Sequence, residues 1–245
     1  IVGGAYYSFN STTLSSPLIV KFFPVIIVIA LLQIIAYLAF YKGLEKGQVS
    51  LVSPLGASWG LITAILSIIF YHELVTGSQI VAIILIIFGI IALSVDIKQL
   101  LRSKQVKVFA GVPEGIISML GWGVSLFFLT GPTRGVNWFL PTLLFRIFLV
   151  GFLSIYLLWS KTPIVSKKVP MPWTLLVVIG VFDFAAFMSL SLGVLHSNSS
   201  LISPIASANT MITILLAQIF LKEGIKLRQI LGILAIIVGI IMMAL

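Results

Sequence analysis

Long apolar windows separated by short polar joints run the length of the chain. Bounded by charges and turn residues, they predict eight helical spans near residues 23–42, 49–71, 78–97, 110–130, 137–159, 173–194, 199–221 and 227–245. The windows are continuous. A transmembrane strand would alternate over about 10 residues, whereas a helix crossing ~30 Å of hydrocarbon needs about 20 apolar residues in a row. The longest joints are 98–109 ("KQLLRSKQVKVF") and 160–172 ("SKTPIVSKKVPMP"). The pattern predicts an all-α integral membrane protein.

The polar positions inside those windows recur. "SLVSP" at 50–54 returns as "SLISP" at 200–204. A shift of 150 residues, without a gap, also pairs Ala36 with Ala186, Gly43 with Gly193, Thr63 with Thr213, Glu73 with Glu223, Gln79 with Gln229 and Gly89 with Gly239. Apolar identities are cheap in a membrane chain. Matches at Ser, Pro, Glu, Gln and Gly in one register point to a duplicated unit. Residues 1–97 read as a first repeat, 98–109 as a basic linker and 110–245 as a second repeat. Residues 1–8 align with 151–158, so the first repeat is expected to lack about 40 residues before Ile1. The full protein would then have ten transmembrane helices as two five-helix units, with about eight whole helices here.

Charge predicts how the units sit. Five is odd, so the second unit should enter the membrane upside down and homologous joints should exchange their basic residues. Lys42 and Lys46 align with Leu192 and His196. Lys222, Lys226 and Arg228 align with His72, Thr76 and Ser78. One face collects most of the lysines and arginines, and the other holds Lys21 and Arg134. The positive-inside rule makes the first face cytoplasmic. The expectation is an inverted repeat in a multi-pass plasma membrane protein.

Composition agrees. The chain has 245 residues, 60% hydrophobic and 9% charged, with a mean hydropathy of +1.23. Soluble chains carry about 25% charged residues. Zero cysteines exclude disulfides and thiolate metal sites. The net charge of +9 belongs to the joints, so nucleic acid is not an expected partner. The six acidic residues are scattered, which argues against a membrane-embedded enzyme, and no GxxxxGK[ST] loop is present to bind a nucleotide. No cofactor or metal is expected.

The repeated pattern resembles the drug/metabolite transporter superfamily, EamA type. The residues that carry the likeness are "GLEKGQVSLVSP" and "GVLHSNSSLISP", each followed by an apolar helix ending in Glu, then "SQIVAIILIIFGIIAL" and "RQILGILAIIVGIIMMAL". The resemblance implies a secondary active transporter of a small molecule, with efflux as the expected direction. Relatives carry amino acids, drugs, nucleosides, sugars or lipid-linked groups. The alternatives are a lipid-linked substrate carrier or flippase, and a non-transporting membrane protein. Expected partners are the substrate, protons, the bilayer and a second copy in a homodimer.

Carriers place substrate near mid-bilayer with broken helices and buried polar groups. Ser53, Pro54, Ser203 and Pro204 are the hinge candidates, because each proline removes a helical hydrogen bond. Asp183, in "VIGVFDFAAFM", and Arg146, in "LLFRIFLV", sit inside spans where a charge is costly and needs a partner. Asp183 is a candidate proton carrier, and its repeat counterpart is Gln33. Trp59 and its repeat counterpart Asn209, with Tyr37, Trp122, Thr210 and Gln218, could line an aromatic and polar cavity. Glu73 and Glu223 read as structural carboxylates for the helix that follows each. Glu114 reads as a first-turn carboxylate. Trp138, Trp159 and Trp173 read as interface anchors. Gly89, Gly121, Gly123, Gly232 and Gly239 read as points of close helix contact. Asn10-Ser11-Thr12 and Asn198-Ser199-Ser200 match a glycosylation pattern.

Overall fold

The computed structural model describes residues 17–46, 52, 55–94, 111–160, 172–209, 211–212 and 227–244. Every regular element among them is an α-helix. In chain order they are α1 (Pro17–Lys46), α2 (Trp59–Phe70), α3 (Gly77–Ser94), α4 (Val112–Gly135), α5 (Leu140–Ser160), α6 (Trp173–His196), α7 (Ser199–Ser207) and α8 (Leu227–Ala244). Four stretches are long and apolar enough to cross a bilayer: Ile19–Lys46, Val112–Gly135, Leu140–Ser160 and Trp173–His196. Leu55–Phe70, Gly77–Ala92 and Ile230–Met242 are shorter apolar helices. The chain is the all-α membrane fold that its pattern predicts. Ser53, Pro54, Glu223 and the 98–109 joint lie outside the described residues.

Local chemistry sets the helix ends. Asn137 Oδ1 accepts the backbone N–H groups of Phe139 (2.9 Å) and Leu140 (2.7 Å), closing the first turn of α5. Thr76 and Gln79 form a capping box before α3. The Thr76 N–H donates to Gln79 Oε1 at 2.9 Å, and the Gln79 N–H donates to Thr76 Oγ1 at 3.3 Å. Lys46 ends α1 and Glu114 opens α4, each favourable to its own helix dipole, and they pair at 2.7 Å.

The helices bury small and hydroxylated faces. In α2 the buried residues are Gly60, Thr63, Ala64 and Ser67, at i, i+3, i+4 and i+7. Ile65, Ile69 and Phe70 face outward. In α7 the buried set is Ser199, Ser200, Ser203, Pro204 and Ser207. Hydrocarbon solvates large apolar side chains, so small residues go where backbones approach. A Cβ on Gly60 would lie 2.5 Å from the Ser203 carbonyl oxygen. Trp138 departs from its expected place as an interface anchor. It is buried, packed edge-on to Phe139 at 5.6 Å, and its carbonyl accepts the Thr142 hydroxyl. Trp159 and Trp173 are exposed.

The chain packs as two compact units. One comprises Ile1–Ile34 with Phe128–His196, the other Ile35–Phe127 with Ser197–Leu245. Each takes elements from both halves of the sequence. In the second unit α3 and α8 form the apolar core through Ala82, Ile83, Ile86, Ile87, Ile90 and Ile236. A Cβ on Gly89 would meet Ile236 Cγ1 at 2.6 Å and the Gly232 carbonyl oxygen at 2.7 Å. A Cβ on Gly239 would meet Ile86 Cγ1 at 2.7 Å and the Ala82 carbonyl oxygen at 2.9 Å. The higher-numbered end of each helix meets the lower-numbered end of the other, so the pair is antiparallel. The contacts are reciprocal, because Gly239 is Gly89 shifted by 150, Ile236 is Ile86 and Gly232 is Ala82.

The carbonyl contacts fix the helix separation, since backbone cannot rotate out of the way. Gly89→Ala should lower stability by about 1–3 kcal/mol, the usual cost of overpacking. Gly180→Ala, with nothing within 4 Å of the new Cβ, should hold or raise it. Thermal melting of both variants in detergent checks the contrast.

Candidate functional site

Two helices of the second unit are interrupted at matching positions. Before α2, the Ser58 N–H donates to the Leu55 carbonyl at 3.2 Å and the Leu61 N–H to the Ser58 carbonyl at 3.1 Å. After α7, the Ala208 N–H donates to the Ile205 carbonyl at 3.2 Å and the Met211 N–H to the Ala208 carbonyl at 2.9 Å. These are the same bonds shifted by 150. Ser58 has φ −79° and ψ 10°, and Ala208 has φ −71° and ψ 1°. The interruption therefore falls four residues beyond each Ser-Pro pair. Ser203 and Pro204, expected at the hinge, lie inside α7. In a regular helix the Ala208 N–H would pair with the Pro204 carbonyl. The Ser207 hydroxyl donates to that carbonyl instead, at 2.8 Å. Ala57 stands at the corresponding earlier position, so the hydroxyl reinforces the interruption rather than creating it.

A buried carboxylate anchors the other end of α7. Glu73 Oε1 accepts the Ser199 N–H at 3.1 Å and the Ser199 hydroxyl at 2.9 Å, and Oε2 accepts the Ser200 N–H at 2.8 Å. The Ser199 and Ser67 hydroxyls are 2.7 Å apart. The sequence reading assigned Glu73 to the helix that follows it. The structure places it on a helix 126 residues further on, while Thr76 and Gln79 close α3. His72, at φ 50°, makes the left-handed turn between α2 and Glu73. Anionic oxygens at first-turn N–H groups are favourable in charge and geometry. Ser199 and Ser200 are fully buried, and Asn198 Nδ2 donates to the Leu74 carbonyl at 3.2 Å.

Aromatic residues gather near the first interruption. The Tyr37 and Trp122 ring centroids are 5.3 Å apart and those of Phe40 and Trp122 are 5.1 Å apart. Gly56 backs onto both Phe40 and Trp122, so a Cβ there would lie 2.9 and 3.1 Å from them. Trp59 is half-buried, and its carbonyl oxygen would lie 2.9 Å from a Cβ on Gly123. Thr63 Oγ1 donates to the Gly123 carbonyl at 2.9 Å. Asn209 is exposed just past the second interruption. Gln33, one turn before Tyr37 on α1, is fully buried.

The first unit carries the charge pair. α5 and α6 run antiparallel, and their contacts step along the seam. The Thr142 and Ser191 hydroxyls are 2.6 Å apart, the Phe145 and Phe187 centroids 5.7 Å, and Arg146 Nη1 lies 2.7 Å from Asp183 Oδ2. The Arg146 guanidinium sits over the Phe187 ring at 3.9 Å and lies 5.5 Å from Phe145. The Arg146 side chain is 16% exposed and that of Asp183 43%. Either charge alone inside a span would be costly, and pairing offsets much of that cost.

The family model for EamA-like transporters matches residues 7–95 and again 110–245. The chain belongs to the EamA-like transporter family. It is therefore a multi-pass integral membrane protein of the drug/metabolite transporter superfamily. The uncharacterized protein MJ1333.1 of Methanocaldococcus jannaschii is 44% identical over 70 residues. That match covers 29% of this chain and 51% of the relative, so the chain spans about half the relative's length. A solved crystal structure of a protein superposes with a TM-score of 0.74 at 15% identity, over 98% of this chain and 80% of that one. At that identity the likeness concerns the fold alone.

In this EamA-like transporter the structure brings Arg146 to Asp183 and Tyr37 to Trp122. It keeps Gln33 and Asp183 on different helices of the first unit. The residues that sequence reasoning missed are Phe40, Phe145, Phe187, Ser67 and Ser199. Phe40 and Phe187 lie three and four residues beyond Tyr37 and Asp183, and Phe145 adjoins Arg146, the one signal that pointed to them.

The Glu73 clamp and the Thr76–Gln79 box differ in strength. Three charge-assisted bonds meet Glu73, so Glu73→Ala should cost about 3 kcal/mol or more. Thr76→Ala, which loses one local cap, should cost about 1 kcal/mol. Thermal melting of the two variants would reveal the order, and equal losses would refute the clamp's dominance.

Proposed function

We propose that this transporter is a secondary active carrier in the plasma membrane, exporting a small metabolite or amphipathic compound by alternating access between inverted repeats. The observation that carries the reading is the matched pair of interruptions at Ser58 and Ala208. Interrupted helices offer pivots for domain motion. The reciprocal antiparallel contact of α3 and α8 supports the inverted relation. A two-fold axis perpendicular to two helices makes such a contact, and that axis would lie in the membrane plane. Asp183 is the residue assigned to proton coupling, because an exchangeable proton needs an ionisable group inside the span.

Exchange in proteoliposomes tests the reading. Amino acids, nucleosides, sugars and cationic drugs are offered across an imposed pH gradient. One class should exchange, and wild type should accumulate it against its gradient. No exchange in any class would overturn the carrier reading. Asp183→Asn should lose accumulation driven by the pH gradient, and undiminished accumulation would remove Asp183 from proton coupling. Orientation has its own check, since the chain has no cysteine. An impermeant maleimide applied outside intact cells should label Arg134→Cys and spare Lys46→Cys.

A further inference from the structure

We infer that the Nε–Nη2 edge of Arg146 is the docking point for a carboxylate on the transported solute. The inference rests on the carrier reading and names its substrate class. Arg146 has five N–H donors in one plane. Asp183 Oδ2 engages Nη1 only. Nε and Nη2 are buried and have no hydrogen-bond partner among the described residues. Leaving buried charged donors unmatched is expensive, and such groups call for an explanation.

The surroundings say what fits. Phe187 lies under the guanidinium at 3.9 Å, so an acceptor has to arrive in the guanidinium plane. The Nε and Nη2 hydrogens point the same way from one edge, the geometry that a planar carboxylate meets with two parallel bonds. The hydroxyls one turn back along the seam are already paired: Thr142 Oγ1 donates to the Trp138 carbonyl at 3.0 Å and lies 2.6 Å from Ser191 Oγ. Asp183 neutralises the guanidinium and keeps it oriented, which makes Asp183 a positioning residue for this contact. A carboxylate added to that neutral pair brings one net negative charge. A solute that also carries an ammonium group adds none, and the half-exposed Asp183 carboxylate offers it a partner. A doubly charged phosphate would cost more to desolvate than a carboxylate.

The test uses the purified chain in nanodiscs with three probes: hexanoate, L-leucine and L-leucine methyl ester. Hexanoate or L-leucine should raise the melting temperature and the ester should not. A shift with leucine alone would identify the zwitterion as the form bound, and a shift with both would identify the carboxylate by itself. Arg146→Lys keeps the charge and loses the fork, so carboxylate binding should weaken about ten-fold or more. If Arg146→Lys does not fold, modification of wild-type Arg146 by phenylglyoxal, read by mass spectrometry, replaces it. The carboxylates should slow that modification and the ester should not. No shift with either carboxylate, an equal shift with the ester, or unchanged modification would each overturn the inference. The exchange assay separates the two readings. Full-rate exchange of a solute without a carboxylate by Arg146→Lys keeps the carrier and removes this site. Carboxylate binding at Arg146 with no exchange of any solute keeps the site and removes the carrier.

Discussion

Hydrocarbon solvates leucine as well as a neighbouring helix does, so α3 and α8 hold together only where their backbones come close. Gly89 and Gly239 supply that closeness, each set against the partner's carbonyl oxygen. A close antiparallel crossing brings Ile86 and Ile236 into register, and the apolar core of the second unit forms around them. The interrupted helices pack on that core: Leu201, Ile205 and Met211 reach it from one side of the Ala208 interruption and the other. Ala57 and Leu61 reach it beside the Ser58 interruption as well.

The two units solve the problem of polar groups in a membrane differently. The second unit spreads it over many hydroxyls, such as Ser118 to the Ala36 carbonyl and Thr63 to the Gly123 carbonyl. Each bond is modest, and each ties a side chain to the backbone of another helix. The first unit has its own buried hydroxyl pair, Thr142 with Ser191, and adds an ion pair inside the span, Arg146 with Asp183. A dispersed network resists rearrangement, because many bonds must break together. A single pair with spare donors is the element that a bound molecule can most easily rearrange.

The helical architecture was legible because uninterrupted apolar windows leave few alternatives in a chain this hydrophobic. Arg146 and Asp183 were legible as partners because two opposite charges inside spans have few other options. Which faces are buried was not legible by the rule for soluble helices. α2 buries Gly60, Thr63 and Ser67 and turns Ile65 and Ile69 outward. The partner of Glu73 was hidden for another reason. Ser199 and Ser200 lie far along the chain, and a serine's worth as a helix-start partner depends on what approaches it. The site of the interruption was displaced because a proline advertises the bond it lacks behind it. The bond that changes at Ala208 lies ahead, where the Pro204 carbonyl is taken by Ser207. The aromatic neighbours of Arg146 and Trp122 were seen as packing residues and became informative only with the register of the helices in hand.

The reach from Glu73 to Ser199 has a consequence for biogenesis. The carboxylate enters the membrane 126 residues ahead of the N–H groups that it will bind. At about 5–20 residues per second of synthesis, the delay is roughly 6 to 25 s. Through that interval Glu73 has to stay protonated, stay near the headgroups or borrow a partner from the insertion machinery. The nascent first half therefore waits in an unfinished state, and the arrival of one serine-rich turn completes it.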